Sequence, residues 1–261
     1  MNIFKQFFLS LFSPKDIAKF RFQGIGKTIL YVFFLTLFSL LPSFIYFGKS
    51  ISEGLESSLS TLQTDFPDFE IKDGTLHTET TKTIENRKND FTLFIDGSGT
   101  MTEQDVANHA NNGFALLETQ FVMVAQGSIQ TYPYSMLETL IISKDDIEQF
   151  LISMKSMLFI FLPVIGLTTY IFNVGIDFIE ISFLAFIGLL FKNSLGRNIT
   201  YRHLWRLVAY SITLPTVFFT IMAFLQTKVV GGMMINWFVT FVILILTIRE
   251  IPKPKQRNIQ P

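Results

Sequence analysis

Long apolar blocks and one polar stretch divide this chain. Residues 28–47 form the first block, about 20 residues long, which is what one helix needs to cross a bilayer. It ends in Tyr46-Phe47-Gly48-Lys49 with no A-x-A-like cleavage site, so it predicts an uncleaved first span rather than a secretory signal. Ahead of it, Ile3, Phe4, Phe7, Phe8, Leu11 and Phe12 recur at helical spacing and predict an amphipathic helix in the membrane interface. Ser13, Pro14 and Asp16 then make an S-x-x-D start with proline at the first helical position, predicting a second short helix.

After residue 48 the pattern changes twice. Ile51, Leu55, Leu59 and Leu62 keep a helical period, which continues the span out of the membrane until Pro67 ends it. From Phe69 the runs become short. Phe69-Glu-Ile-Lys, Asp73-Gly74 and Thr75-Leu-His-Thr predict a hairpin, because an Asp-Gly pair suits a type I′ turn. Residues 91–95 predict a third strand, and residues 121–125 and 129–134 flank Gly127-Ser128 as a second hairpin. Ser143 with Asp146 is a further capping signature, starting a helix that leads back towards apolar sequence.

The second apolar block, residues 158–191, is too long for one ordinary span and is interrupted by Pro163, Gly166, Asn173, Gly175, Asp177 and Glu180. The direct reading is two short spans, about 156–173 and 176–191, followed by 204–226 and 232–248. The predicted organisation is therefore basic N-terminal helices over 1–27, a span over 28–48, an inserted domain over 49–153, a membrane bundle over 154–248 and a basic tail over 249–261. The fold class is an all-α polytopic membrane bundle of four to five spans, with a small β-rich (α+β) extracytoplasmic domain inserted between two helical stalks.

Charge decides the orientation and challenges the span count. Between residues 49 and 155, 7 Lys/Arg face 17 Asp/Glu, a net of −10, while the rest of the chain carries 14 basic and 4 acidic groups, a net of +10. The formal charge of zero is thus a cancellation between basic ends and an acidic insert. Basic residues before the first span put the N-terminus in the cytoplasm and the acidic insert outside. Five crossings would then carry Lys192, Arg197, Arg202 and Arg206, and later Arg249, Lys253, Lys255 and Arg257, to the outer side against the positive-inside rule. One crossing over 158–191 returns both groups to the inside. Charge bias favours four crossings and segment length favours five.

Composition agrees with a membrane protein, since 49% of residues are hydrophobic, 30 are Phe and only 16% are charged. With no cysteine, disulfides, thiolate zinc sites and a thiol nucleophile are excluded. The basic residues sit where anionic lipid would meet them, which argues against nucleic acid as a partner. No cofactor is predicted.

Three features bear on chemistry. Asn173, Asp177 and Glu180 fall at i, i+4 and i+7, on one helical face at or beside bilayer depth. An ionisable group there costs about 2.5–3.5 kcal/mol on insertion scales, so the cluster reads as an ion path, as a pairing site for Arg202 or Arg206, or as a hydrated turn at Gly175. Asp96-Gly97-Ser98-Gly99-Thr100 has the spacing of the D-x-S-x-S metal site of von Willebrand A-type domains and of an aspartic-protease turn. The first needs a parallel sheet with crossover helices, for which this insert is read as too short, and the second needs another such Asp; a plain turn is predicted. His77, His109 and His203 are scattered without i,i+4 partners and predict no metal site.

Phe12-Ser-Pro-Lys-Asp with Arg21, Lys27-Thr-Ile-Leu-Tyr, Phe69-Glu-Ile-Lys-Asp-Gly-Thr-Leu, Phe94-Ile-Asp, Ile199-Thr-Tyr and Leu207-Val-Ala-Tyr-Ser-Ile-Thr-Leu-Pro together resemble one family. It is an uncharacterised group of polytopic membrane proteins of Gram-positive bacteria, sometimes labelled maltodextrin-utilisation proteins. The stretch from Ala209 to Pro215 also resembles the Tyr/Pro-bearing span of Yip-type membrane proteins, which act in membrane trafficking in eukaryotes. The resemblance implies a cell-membrane protein with an inserted outer domain and carries over no catalytic residues. The function expected is a non-enzymatic accessory or organising component that binds a transporter or other membrane machinery. The alternatives are a small transporter using Asp177 and Glu180, and a ligand sensor working through the inserted domain.

Overall fold

The structure is a computed structural model that describes residues 2–80, 82–88, 91–137 and 139–253. Lys255 and Arg257 of the predicted basic tail lie outside the described residues. The chain divides into two compact units, one of residues 1–46 and 164–261 and the other of residues 47–163.

In the first unit, α1 (Ile3–Phe12) and α2 (Pro14–Phe20) start as the sequence predicts. The Asn2 side chain accepts from the Phe4 N–H, and the Ser13 hydroxyl accepts from the Asp16 N–H with Pro14 in the first turn of α2. The orientation of α1 is informative. Its buried residues are the polar Gln6 and Ser10, while Phe4, Phe8 and Phe12 are exposed. A helix that turns its polar side to the protein and its rings outward fits an apolar surrounding medium.

Among the described residues, four helices or helix pairs are long and apolar enough to cross a bilayer: α3 (Ile25–Thr64), α5 (Lys144–Ser194, apolar enough over Lys144–Phe191), the pair α6 (Tyr201–Ser211) and α7 (Thr213–Phe224), and α8 (Gly232–Arg249). The chain is thus a multi-pass membrane protein with four candidate spans and an inserted β region. The two short spans read over 156–173 and 176–191 are parts of the single helix α5, so the four-span arithmetic favoured by charge is the one the fold follows. Gly175 is helical, and no turn forms there. Pro42 and Pro163 sit inside continuous helices, whereas Pro215 coincides with a real interruption at Ile212. Proline at 215 cannot donate to the Ser211 carbonyl, and its ring crowds that carbonyl, so the helix re-starts there. The core of this unit centres on α6, with Leu204, Leu207, Val208 and Tyr210 fully buried beside Ile17, Tyr31, Leu35, Ile181 and Leu244.

The second unit holds two sheets. Strands β1 (Phe69–Lys72), β2 (Thr75–Thr78) and β8 (Ile142–Ser143) form one in the order β2-β1-β8. Strands β3 (Ile84–Lys88), β4 (Phe91–Asp96), β5 (Asn112–Leu117), β6 (Gln120–Ala125) and β7 (Ser128–Pro133) form the other in sequence order. Asp73 and Gly74 both have positive φ, 51° and 76°, so the predicted type I′ hairpin is present. The second hairpin turns one residue earlier than read, on Gln126 and Gly127 with φ of 51° and 78°.

All ladders are antiparallel except β4·β5, which is parallel with Thr92 opposite Gly113. The crossover is α4 (Glu103–His109), held by a capping box between Thr102 and Asp105. This one parallel pair with a short crossover helix was not predicted from the sequence, and it is far from the parallel sheet with several crossover helices that a von Willebrand A-type domain needs. Side-chain alternation on β4 explains the layering: Phe94 joins Val106, Ala115, Val122 and Val124 under α4, while Leu93 and Ile95 face a second cluster with Leu62, Phe66, Phe69 and Ile71.

Candidate functional site

The acidic residues of α5 are engaged by neighbouring helices. The Thr36 hydroxyl of α3 bridges the Val32 carbonyl and the Asp177 carboxyl. On the next turn Asn236 Nδ2 of α8 donates to Glu180 Oε1 at 3.0 Å, an interhelix bond from an amide to an acid. Asn173 Nδ2 instead donates to the Thr169 carbonyl of its own helix at 2.8 Å. Arg206 Nη1 donates to the Arg21 carbonyl at 2.8 Å, and among the described residues neither Arg202 nor Arg206 pairs with Asp177 or Glu180. The predicted five-residue cluster therefore resolves into two acid ties, a self-capped Asn and two arginines elsewhere. Ser182 extends the pattern, accepting from Trp205 Nε1 at 3.1 Å. These contacts span α3, α5, α6 and α8 and cross-brace the bundle.

The Asp96 loop is held by local hydrogen bonds. The fully buried Asp96 carboxylate accepts from the Ser98 N–H at 3.1 Å, the Ser98 hydroxyl and the Met101 N–H at 2.7 Å. Burial alone would raise this carboxyl, but the bonds from Ser98 and Met101 outweigh it and hold the group below the ordinary aspartate value of 3.8. The folded state therefore prefers the ionised form. That contribution is present above the unfolded value and is lost as pH falls through the lower folded value. Asp96→Asn is expected to lower the stability of the inserted unit by about 1–3 kcal/mol at pH 7 and to flatten its acid-side stability loss, as followed by thermal unfolding at a series of pH values. Among the described residues no three His, Asp or Glu converge to hold a metal ion.

A larger feature is absent from the motif reading. In the inserted unit, Leu55, Leu62 and Phe66 at the end of α3, Ile147, Leu151 and Met154 at the start of α5, and the inner faces of β4 to β6 surround a cavity of about 600 Å³. Tyr134 opens the 3₁₀ turn Tyr134–Leu137 and lines this space. It is 2% exposed, and its hydroxyl has no hydrogen-bond partner among the described residues. Burial pushes that phenol up, keeping it a neutral donor through the ordinary pH range.

A profile described as a protein of unknown function, DUF1189, matches residues 4–248. The chain belongs to that family. No curated protein and no solved structure matches it. The DUF1189 match runs through the spans and the inserted unit alike, so both belong to what defines the family. Of the features above, the cavity had only one sequence signal: Leu55, Leu62, Ile147 and Leu151 keep helical spacing beyond the ends of the apolar blocks, where a solvated stalk would not need them.

Proposed function

We propose that this DUF1189 protein is a non-enzymatic accessory component of the cell membrane, with a bundle that anchors and an inserted domain that binds. Its partner is a transporter or other membrane machinery, and the maltodextrin label of similar proteins makes a sugar-uptake system the first candidate. The observation carrying this reading is the engagement of Asp177 and Glu180 by Thr36 and Asn236, which makes these acids braces of the bundle. An ion or proton path needs its acids to exchange partners with the permeant species. In-cell crosslinking of tagged protein, followed by identification of what co-purifies, is expected to return a transporter subunit. Recovery of self-crosslinks alone, together with loss of ion or solute flux in Asp177→Asn and Glu180→Gln variants reconstituted in liposomes, would replace the accessory reading with an autonomous transporter.

The proposed orientation places the basic termini in the cytoplasm and the inserted domain outside. Four spans put both ends of the chain on one side, and the segment between α5 and α6 with Arg197 joins them there, in keeping with the positive-inside rule. Because the chain has no cysteine, single replacements report sidedness directly. Ser128→Cys, on an exposed hairpin end, is expected to react with an impermeant maleimide in intact cells, and Lys253→Cys only after permeabilisation. The reverse labelling would invert the topology.

A second reading, a ligand sensor working through the inserted domain, is favoured by the cavity beside Tyr134.

A further inference from the structure

The end of α2 and the first turns of α6 bring four basic side chains together without a counter-charge. Arg21 caps the C-terminal end of α2, and its guanidinium lies 4.2 Å from the centre of the Phe22 ring. The His203 ring of α6 meets the same Phe22 edge-on at 5.6 Å. Arg206 Nη1 donates to the Arg21 carbonyl at 2.8 Å, and Arg202 stands one helical turn before Arg206 on the same face of α6. The charges of Arg21, Arg202 and Arg206 all act on the His203 ring, so the four residues share one field.

Arg206 separates this cluster from an ordinary basic surface. It is 9% exposed, and its hydrogen bond goes to an uncharged carbonyl. Buried charges are normally paired, because a charge taken out of water without a partner is costly. This unit has four acids, Asp16, Asp177, Glu180 and Glu250. Asp16 is taken by Ser13 and Lys19, Asp177 by Thr36 and Glu180 by Asn236. Among the described residues none of the four forms an ion pair with Arg21, Arg202 or Arg206. The balancing anion therefore comes from outside the chain. It meets Arg202, which is exposed, and Arg21 and His203, which are half-buried, while Arg206 adds its charge from within the bundle.

The place of the cluster in the chain indicates the kind of anion. Arg21 stands four residues before the candidate span that begins at Ile25, and Arg202 lies in the first turn of the one that begins at Tyr201. Span ends lie at the level of lipid headgroups. Phe22, Ile25 and Ile29 follow Arg21 and are exposed, so apolar surface borders the cations. Guanidinium groups match phosphate oxygens in a two-pronged geometry. We propose that Arg21, Arg202 and His203 hold the phosphate of an anionic phospholipid headgroup, with Arg206 supplying charge behind them. This site adds a lipid ligand to the bundle and stands whether the inserted domain binds a transporter or a small molecule.

The test titrates the full chain in neutral detergent with phosphatidylglycerol or phosphatidylcholine and counts bound lipid by native mass spectrometry. The first phosphatidylglycerol is expected to bind about tenfold more tightly than phosphatidylcholine. Arg202→Gln should weaken it about fivefold, and combining Arg202→Gln with Arg21→Gln should erase the preference. Lys228→Gln removes the same charge from an exposed position between α7 and α8 and should change nothing. Thermal unfolding of Arg202→Gln without added lipid should match wild type, which separates a lost ligand from a lost fold. Equal affinity for the two lipids, or equal weakening by Lys228→Gln and Arg202→Gln, would overturn the site. Displacement of bound phosphatidylglycerol by excess inorganic phosphate would overturn the lipid as its source and assign the cluster to a free anion.

Discussion

Gly113→Ala is expected to disrupt the five-stranded sheet of the inserted unit. Gly113 stands opposite Thr92 in the one parallel ladder, and a Cβ added there would lie 2.0 Å from the Thr92 carbonyl oxygen and 3.0 Å from its carbonyl carbon. Those atoms belong to a buried backbone in the second of five strands and cannot rotate away. Relief requires β4 and β5 to part, which costs their hydrogen bonds and opens the packing of Leu93, Phe94 and Ile95 at once. Overpacking a core typically costs about 1–3 kcal/mol, and a clash with backbone belongs at the top of that range or above it. Set against a total domain stability of about 5–15 kcal/mol, that is enough to populate an open sheet. Hydrogen exchange on the full-length protein should show lost protection across residues 91–125 with α8 unchanged. Gly97→Ala, in the bend directly after β4, is the matched comparison. Its Cβ would meet the Thr78 Cγ2 methyl at 2.6 Å, a side-chain end that can turn away, so the cost should be about 1 kcal/mol or less. Equal effects from the two substitutions would refute the backbone-clash account.

That contrast also marks how far the sequence could be read. Spans, caps and the Asp73-Gly74 hairpin are legible because each depends on a local rule: apolar length, a hydroxyl three residues before a carboxylate, two adjacent residues tolerating positive φ. The parallel pair was not legible. Asn112-Gly113 reads locally as a turn, yet it lies inside β5, because Gly is what the close approach of Thr92 requires. Helix α4 is only seven residues long and carries little periodicity, although Thr102 and Asp105 made a cap that could have been found. The continuity of α5 was hidden for a related reason. Asn173, Asp177 and Glu180 are turn-like by composition, but in the fold their polar groups are met by Thr169, Thr36 and Asn236, and two of those partners lie far away in sequence. The cavity was invisible as a site because its walls come from α3, α5 and several strands, and each wall residue, taken alone, looks like core.

Tyr210→Ala is expected to be the most damaging single substitution in the membrane bundle, because one side chain there joins four helices and reaches a fifth through Tyr31. Its ring is fully buried on α6 and lies 4.7 Å from Phe20 of α2 and 4.4 Å from Tyr31 of α3. Its hydroxyl donates to Gln6 Oε1 of α1 at 3.1 Å, and Tyr31 in turn shares a 2.6 Å hydrogen bond with Thr213 at the start of α7. Truncation to alanine leaves a ring-sized void, for which large aromatic deletions cost about 3–5 kcal/mol, and removes the donor that meets the inward polar side of α1. Tyr210→Phe keeps the packing and loses only the hydroxyl, at a cost of about 0.5–2 kcal/mol. The two variants separate packing from hydrogen bonding. In detergent, thermal unfolding of Tyr210→Ala should fall well below both wild type and Tyr210→Phe, while hydrogen exchange in Tyr210→Phe should rise first over residues 3–12, whose buried Gln6 has lost one hydrogen bond. The Tyr210 bond reaches the buried polar side of α1. Ile3, Phe7 and Leu9 pack against the bundle, Phe7 edge-on to Phe34 and Phe38 of α3, so the attachment of α1 combines these apolar contacts with the buried polar Gln6 and Ser10. If Tyr210→Phe and Tyr210→Ala loosen residues 3–12 to the same degree, Tyr210 acts on α1 through its hydroxyl. If only Tyr210→Ala does so, the ring stack with Tyr31 and Phe20 carries the attachment.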